Sequence, residues 1–400
     1  MRVVHLSDLH LGYRQYQRLT PLGGNQREAD VALTFKRVVD RVIALQPDLV
    51  VVAGDVFHTV RPTNPAILHA FQQFARLATS LGDAPVVIVA GNHDLPRSSE
   101  TGCILRLFEQ ENLYVADFEA KRFPFPELGL SVLAVPDVPG GRPELTPDPA
   151  ARYNVMVIHG EVAGIIPRRA AMLDRATYEI TEEELGAPRW NYVALGHYHV
   201  HRRVAPNAYY SGSIDYTSAN PWGELAEEAE AERAGGGHRG KGFIEYDLEA
   251  NRHTFHPIPP SRQLVDLPPL SARGITGTEL DAAIRESVDA VDGGIEQKIV
   301  RLVVRDVARH INNDLDHQAL REYKRRAFHF QLETLRPNVR PLSGEAAPGH
   351  PQSLAEFVRE RLLSRQVPPE VDRDQLIARV FEYLDQATAA ELAAAGEAEG

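Results

Sequence analysis

The chain has one cysteine in 400 residues, so it can close no disulfide within itself. That fits a reducing, cytoplasmic setting. It has no run of 18 or more apolar residues, which argues against a membrane span. The first residues, MRVVHLSDLH, lack the apolar stretch of a secretory signal, so none is expected. The chain also lacks basic excess. Its net charge is −12, and half of that falls within residues 343–400. Domains that bind nucleic acid are usually basic, so bulk charge speaks against such a partner. Bound divalent cations would reverse the local field, however. What remains is an ordinary globular composition, with 43% hydrophobic and 24% charged residues.

The first 200 residues alternate strand and helix. Arg2–His5, Pro47–Ala53, Pro85–Ala90, Leu130–Val135, Tyr153–His159 and Tyr192–Leu195 read as strands. Arg27–Leu45, Pro65–Leu81 and Ser99–Glu111 read as amphipathic helices, the last with Ser98 or Ser99 as its N-cap. This alternation predicts an α/β layered fold. Glu224–Gly242 is acidic and Ala-rich, then Gly-rich, and reads as a mobile surface insertion. Its GGGHRGKG segment neither follows a strand nor has phosphate-loop spacing. A hairpin is predicted from Gly242–Leu248 and His253–Ile258.

Composition shifts at the proline-rich Pro257–Pro269. Beyond it, helices at Thr278–Val291 and near Asn313–Glu322, with strands at Gln297–Val304 and Ala327–Thr334, predict a small α+β unit. Two amphipathic helices follow a Pro/Gly-containing linker, at Ser353–Ser364 and Asp372–Thr388. The expected division is 1–260, 261–336, a linker at 337–352, and a helical segment at 353–390.

Each apolar strand runs into residues with chemical capability. Val3–Leu6 leads to Asp8 and His10, Leu49–Ala53 to Gly54-Asp55, and Val86–Ala90 to Gly91-Asn92-His93-Asp94. Val155–Ile158 leads to His159, and Val193–Leu195 to Gly196-His197 with His199 two residues on. Ligands of open α/β folds bind beyond the carboxyl ends of strands. Asp8, His10, Asp55, Asn92, His159, His197 and His199 make a mixed nitrogen and oxygen set. Such a set suits Mn²⁺, Fe²⁺ or Zn²⁺ and is too rich in nitrogen for a Ca²⁺ cage.

The ordered blocks DLH, GDVF, GNHD, an isolated strand-terminal His and GHYH resemble the calcineurin-like metallophosphoesterase superfamily over residues 1 to about 260. The resemblance implies a β-sandwich flanked by helices and a centre of two Mn²⁺ per chain, with Fe²⁺, Zn²⁺ or Mg²⁺ as alternatives. It assigns Asp8, His10, Asp55 and His199 to one cation, and Asp55, Asn92, His159 and His197 to the other. His93 becomes a catalytic residue oriented by Asp94. Two cations roughly 3.5–4 Å apart activate a water for in-line attack on phosphorus.

GDVFHTVRP lacks the Asp-Arg-Gly that protein phosphatases show after this block. It carries His58 instead. With HLSDLHLGY and RPTNPAILHAF, it is similar to the SbcD-type nucleases of DNA double-strand-break repair and recombination. That resemblance implies 3′–5′ exonuclease and endonuclease activity, with His58 at the substrate or leaving-group end. It implies a capping domain at 261–336 and an SMC-like ATPase partner of the SbcC type, docked on the C-terminal helices. It also implies a homodimer formed through Pro65–Leu81 and Ser99–Glu111. Arg61, Arg97, Arg168, Arg169, Arg202 and Arg203 lie near the motifs and are candidates for phosphate contact. The acidic Glu224–Glu232 departs from the family pattern. Two other readings stand beside the nuclease: a phosphodiesterase or phosphatase for small esters, and an architectural DNA-end-binding dimer.

Overall fold

The structure is a computed structural model. It describes residues 1–96, 102–138, 144–166, 176–177, 179–337, 375–381 and 383. The chain divides into two compact units, Met1–Pro337 and Asn338–Gly400.

The first unit is built on two six-stranded sheets stacked face to face. One sheet contains β1 (Arg2–Leu6), β2 (Leu49–Ala53), β3 (Val86–Val89) and β4 (Leu113–Ala116) side by side in parallel. The hairpin β13 (Gly242–Asp247) and β14 (Arg252–Pro257) adds to the β1 edge. The other sheet has at its centre β6 (Leu130–Val135), β7 (Tyr153–His159) and β10 (Tyr192–Gly196), also parallel. It is flanked by β5 (Lys121–Phe125) on one side, and by β12 (Ala208–Tyr210) and β11 (Arg202–Ala205) on the other. The short β8 (Glu161–Val162) and β9 (Glu179–Ile180) pair separately.

Alternation sorts the side chains. Val3, Val51, Ala53, Val87 and Val89 face inward and meet Val132, Ala134, Val155, Val157 and Ala194 of the second sheet. Val4, Leu6, Val50, Val52, Val86 and Ile88 face outward, under α1 (Gln26–Leu45) and α2 (Asn64–Ser80). A strand buried on both faces shows no polar alternation, which is why these runs read as continuously apolar.

In α1, Phe35, Val38, Val39 and Val42 recur at helical spacing and are fully buried. Each contributes about 1.5–3 kcal/mol by burial. Asn25 caps the start by accepting from the amides of Arg27 and Glu28, and Gln46 ends the helix in the left-handed region at φ 46°.

Two expectations need correction. Among the described residues of the predicted helix Ser99–Glu111, only a 3₁₀ turn at Ile104–Phe108 forms. Its candidate caps Ser98 and Ser99 lie outside the described residues. Cys103, just before that turn, is buried, and burial pushes its thiol up to about 12, leaving it unreactive. The second correction concerns Glu224–Gly242, which is no loose insertion. Pro221–Arg233 is a helix, with Asn220 accepting from the Gly223 amide and Pro221 opening the first turn. Glu224, Glu228 and Lys241 are all buried.

Residues 264–334 hold a further sheet, β15 (Leu264–Asp266), β16 (Leu270–Ser271), β17 (Ile299–Arg305) and β18 (His329–Thr334), all paired in parallel through β17. Gly277–Asp289 begins with a capping box between Thr276 and Glu279. The helix predicted near Asn313–Glu322 is two, Arg309–Asp314 and His317–Arg326, because Asp316 caps a new start. Val300, Leu302, Leu280 and Ile284 belong to this region's own core. In the second unit the described residues 375–381 and 383 are helical, within the predicted Asp372–Thr388. The predicted helix Ser353–Ser364 lies outside the described residues.

Candidate metal centre

All seven candidate ligands stand where the strands end. Past β1 and β2 the chains stay laddered: the amides of Asp8 and His10 donate to the carbonyls of Gly54 and Asp55 at 3.0 and 2.9 Å. This pairing holds the two loops in step. Asp8, His10, Asp55 and His197 all carry positive φ, at 52°, 45°, 51° and 104°. Residues other than glycine rarely adopt that region, and such strain concentrates at functional sites.

Close approach explains two glycines. A Cβ on Gly91 would lie 2.1 Å from Asp55 Oδ1, and one on Gly196 would lie 1.7 Å from the Ala53 carbonyl oxygen. Only glycine lets these strand ends converge.

Asp55 sits at the middle. Its Oδ2 lies 3.6 Å from Nε2 of His10 and 3.6 Å from Nε2 of His159. That oxygen is buried and has no hydrogen-bond donor among the described residues. Its other oxygen accepts from the His93 amide at 3.0 Å. His159 Nδ1 donates to the Ala53 carbonyl at 2.8 Å, which points Nε2 into the site. Asn92 Oδ1 lies 3.0 Å from that Nε2 and accepts from it when the ring is protonated, the form that Asp55 and Asp8 favour against burial. On the opposite side, Nε2 of His10 and Nε2 of His199 are 2.9 Å apart. Asp8 accepts from the His197 amide at 3.1 Å and from Ser7 Oγ at 2.6 Å.

Asp8, His10 and His199 form one group whose ligand atoms lie within 4.8 Å of one another; Asp8, Asp55 and His159 form a second. Convergent acceptors and an orphaned carboxylate oxygen are the donor set a divalent cation takes. Burial, followed by the neighbouring histidines, holds His10 well below its usual value and keeps its ring neutral. Burial raises Asp55, against the pull of His159.

His58 and His93 join the same cluster. Their rings stack at 5.4 Å and 18°, and His58 Nδ1 is 3.3 Å from His10 Nδ1. Asp94 corrects an expectation. Its carboxylate does not orient the His93 ring; His93 Nδ1 donates to the His58 carbonyl at 2.8 Å. Asp94 instead accepts from the amides of Val56, Phe57 and Gly91 at 3.1, 2.9 and 3.0 Å. It fastens the loop after β2 to the loop after β3. Burial and the nearby Asp55 push its carboxyl up to about 7.

The centre opens into a cavity of about 490 Å³. One wall is His10, His58, His93, His197 and His199; the other is the helix Pro221–Arg233, through Glu224, Glu227 and Glu230. Among the described residues no arginine lines it. Arg61 and Arg203 are exposed and Arg202 half-buried, while Arg97, Arg168 and Arg169 lie outside the described residues.

Glu224 is the site residue that sequence reasoning missed. Its Oε1 is 3.4 Å from His199 Nδ1, and its Oε2 pairs with Lys241. Burial pushes this carboxyl up, but Lys241 and His199 overcome it and hold the group at about 2. The signal was present as Asn220-Pro221 at a helix start, followed by Glu224 and Glu228 on one face.

The calcineurin-like phosphoesterase family model matches residues 1–222, more than half of the chain. The chain belongs to this family. It is a metal-dependent phosphoesterase by that membership, and the sandwich flanked by helices is the family's fold. Among curated relatives it is similar to the DNA double-strand break repair protein Mre11 of Methanocaldococcus jannaschii, at 28% identity over 273 residues, 63% of each chain. It is also similar to that of Methanopyrus kandleri, at 28% over 268 residues, 62% of this chain and 54% of the relative. With that of Methanococcus maripaludis it shares 35% over 102 residues, about a quarter of each. The chain thus spans less than two thirds of the length of these relatives. Among the described residues, no helix of this phosphoesterase is long and apolar enough to cross a membrane.

Proposed function

We propose that this phosphoesterase is a nuclease that uses two divalent cations to process DNA ends in double-strand-break repair. Asp8, His10, Asp55 and His199 hold one cation; Asp55, Asn92, His159 and His197 hold the other. The observation that carries this reading is Asp55 Oδ2, equidistant from two histidine nitrogens and lacking a donor. Mn²⁺ suits the mixed donor set, as would Fe²⁺ or Zn²⁺. Such a pair, when bound, lowers the pKa of a water and neutralises the phosphate oxygens.

The chain's own residues do the rest. His93, on the cavity wall, holds a proton for the leaving oxygen, and the His58 carbonyl fixes its ring through Nδ1. His58 stacks beside it at the substrate end. Asp94 keeps the two loops that carry Asp55, His58 and His93 in register.

Substrate and partners rest on the relatives, whose names place them in DNA double-strand break repair. Exposed Leu68, Phe71 and Leu107 gather in one apolar surface pocket, which supports a homodimer formed through α2 and the 3₁₀ turn. The C-terminal helices are proposed to dock on an SMC-like ATPase, and residues 261–336 to act as a cap over the DNA.

One observation favours a second reading, hydrolysis of small phosphoesters. The cavity wall carries Glu227 and Glu230 and, among the described residues, no arginine, a poor surface for a phosphate backbone. Purified protein with Mn²⁺ should be offered linear duplex, hairpin DNA, a cyclic nucleotide and a chromogenic monoester. Preferential DNA degradation, abolished in His199→Ala, supports the nuclease. Intact DNA with turnover of small esters would establish the alternative.

A further inference from the structure

The segment that looked like an acidic insertion reaches the centre itself, from the facing wall of the cavity. His199 Nδ1 points away from the cluster and meets Glu224 Oε1 at 3.4 Å; neither atom has a hydrogen-bond partner among the described residues. Glu224 is itself fixed. Its second oxygen pairs with the buried ammonium of Lys241, which also reaches Glu228 at 3.1 Å and donates to the His199 carbonyl at 2.9 Å. One turn along the helix, Glu227 accepts from the Tyr198 hydroxyl at 2.8 Å. Neighbouring residues of the GHYH loop are therefore gripped by carboxylates of one helix. A buried carboxylate and ammonium carry a desolvation cost that an apolar pair would avoid. Here both reach His199, Glu224 at the ring and Lys241 at the carbonyl.

We propose that Glu224 is a positioning residue for His199, holding the proton on Nδ1 so that Nε2 offers its lone pair to a cation shared with His10. Lys241 anchors Glu224 and the backbone of His199 together. This rests on the reading of His199 as a ligand. An imidazole that ligates through one nitrogen commonly donates its other N–H to a carboxylate, which fixes tautomer and ring orientation. At 3.4 Å the pair is an ion-pair contact, slightly long for a hydrogen bond.

The test is calorimetric titration of the full chain with Mn²⁺ alone, in a double-mutant cycle of Glu224→Gln and His199→Ala, with thermal unfolding of each metal-free protein beside it. Glu224→Gln is expected to weaken one of two sites by about 10- to 100-fold; the metal-free unfolding temperature falls as well, since Lys241 keeps only Glu228 as a charged partner, and the His199→Ala background separates the two effects. In the His199→Ala background it should add nothing. Wild-type affinity at both sites in Glu224→Gln overturns the inference. So does an equal loss with and without His199, which would mark Glu224 as merely structural. If His199→Ala itself binds two Mn²⁺ as tightly as wild type, the reading of His199 as a ligand falls and takes this inference with it. Should Glu224→Gln fail to fold, Glu224→Gln with Lys241→Met removes both buried charges and reads the same quantity.

Discussion

The Nε2 atoms of His10 and His199 lie 2.9 Å apart, part-buried and 189 residues distant in sequence. Without a cation one ring must donate an N–H to the other; with one, both would turn lone pairs inward. Saturating Mn²⁺ should therefore stabilise the fold, by about 2.7 kcal/mol at a hundredfold excess over Kd. Thermal unfolding with Mn²⁺ and with a chelator measures this. Identical curves would mean that no cation binds.

His93 touches the centre through its backbone amide, on Asp55, while its ring faces the cavity. His93→Ala should lower kcat by about 100- to 10,000-fold and leave Mn²⁺ affinity nearly unchanged. Loss of the metals with normal turnover per bound metal would remove it from the chemistry.

Asp94 accepts three backbone amides. Each amide stranded in Asp94→Ala costs about 1–3 kcal/mol. Urea unfolding should show that loss, with weakened Mn²⁺ binding alongside, because the loops after β2 and β3 part. A variant as stable as wild type would refute the fastening role.

The convergence of the seven candidate residues was legible in the sequence because each follows an apolar strand, and parallel strands deliver their ends to one place. Glu224 was not legible. Its helix buries carboxylates rather than an apolar stripe, and the reason is a lysine 17 residues away on the edge of β13. Asp94 was misread for a related cause. The family resemblance paired it with His93, whereas the turn aims the carboxylate at backbone amides, two of them on another loop. The 3₁₀ turn at Ile104–Phe108 has apolar residues at spacings that a longer helix would also use, so periodicity alone could not separate them.

His5 lies between the two sheets, with Nδ1 2.8 Å from the Tyr192 hydroxyl oxygen. Burial pulls it down to about 3 from an ordinary 6.5. A base depressed in the folded state binds its proton in the unfolded chain first, so stability falls as pH drops from about 6.5 towards 3. At pH 5 the cost is about 2 kcal/mol. His5→Phe should flatten the acid limb by about that amount in urea unfolding between pH 7 and 5. An unchanged limb would place the acid sensitivity elsewhere.

Leu68, Phe71 and Leu107 are exposed together. Phe71→Glu should shift the protein from dimer to monomer in light scattering, without loss of Mn²⁺ binding. A wild-type chain that is already monomeric would discount this face as an interface.

Gly91 and Gly196 bear on anyone wishing to retune the site. The candidate ligand side chains can be exchanged for others of similar reach, and metal preference would move with them. The space at these two positions cannot be traded, since any larger residue collides with Asp55 or with the backbone of β2. A library that varies ligands and freezes these glycines explores new chemistry. One that varies the glycines mostly samples broken scaffolds.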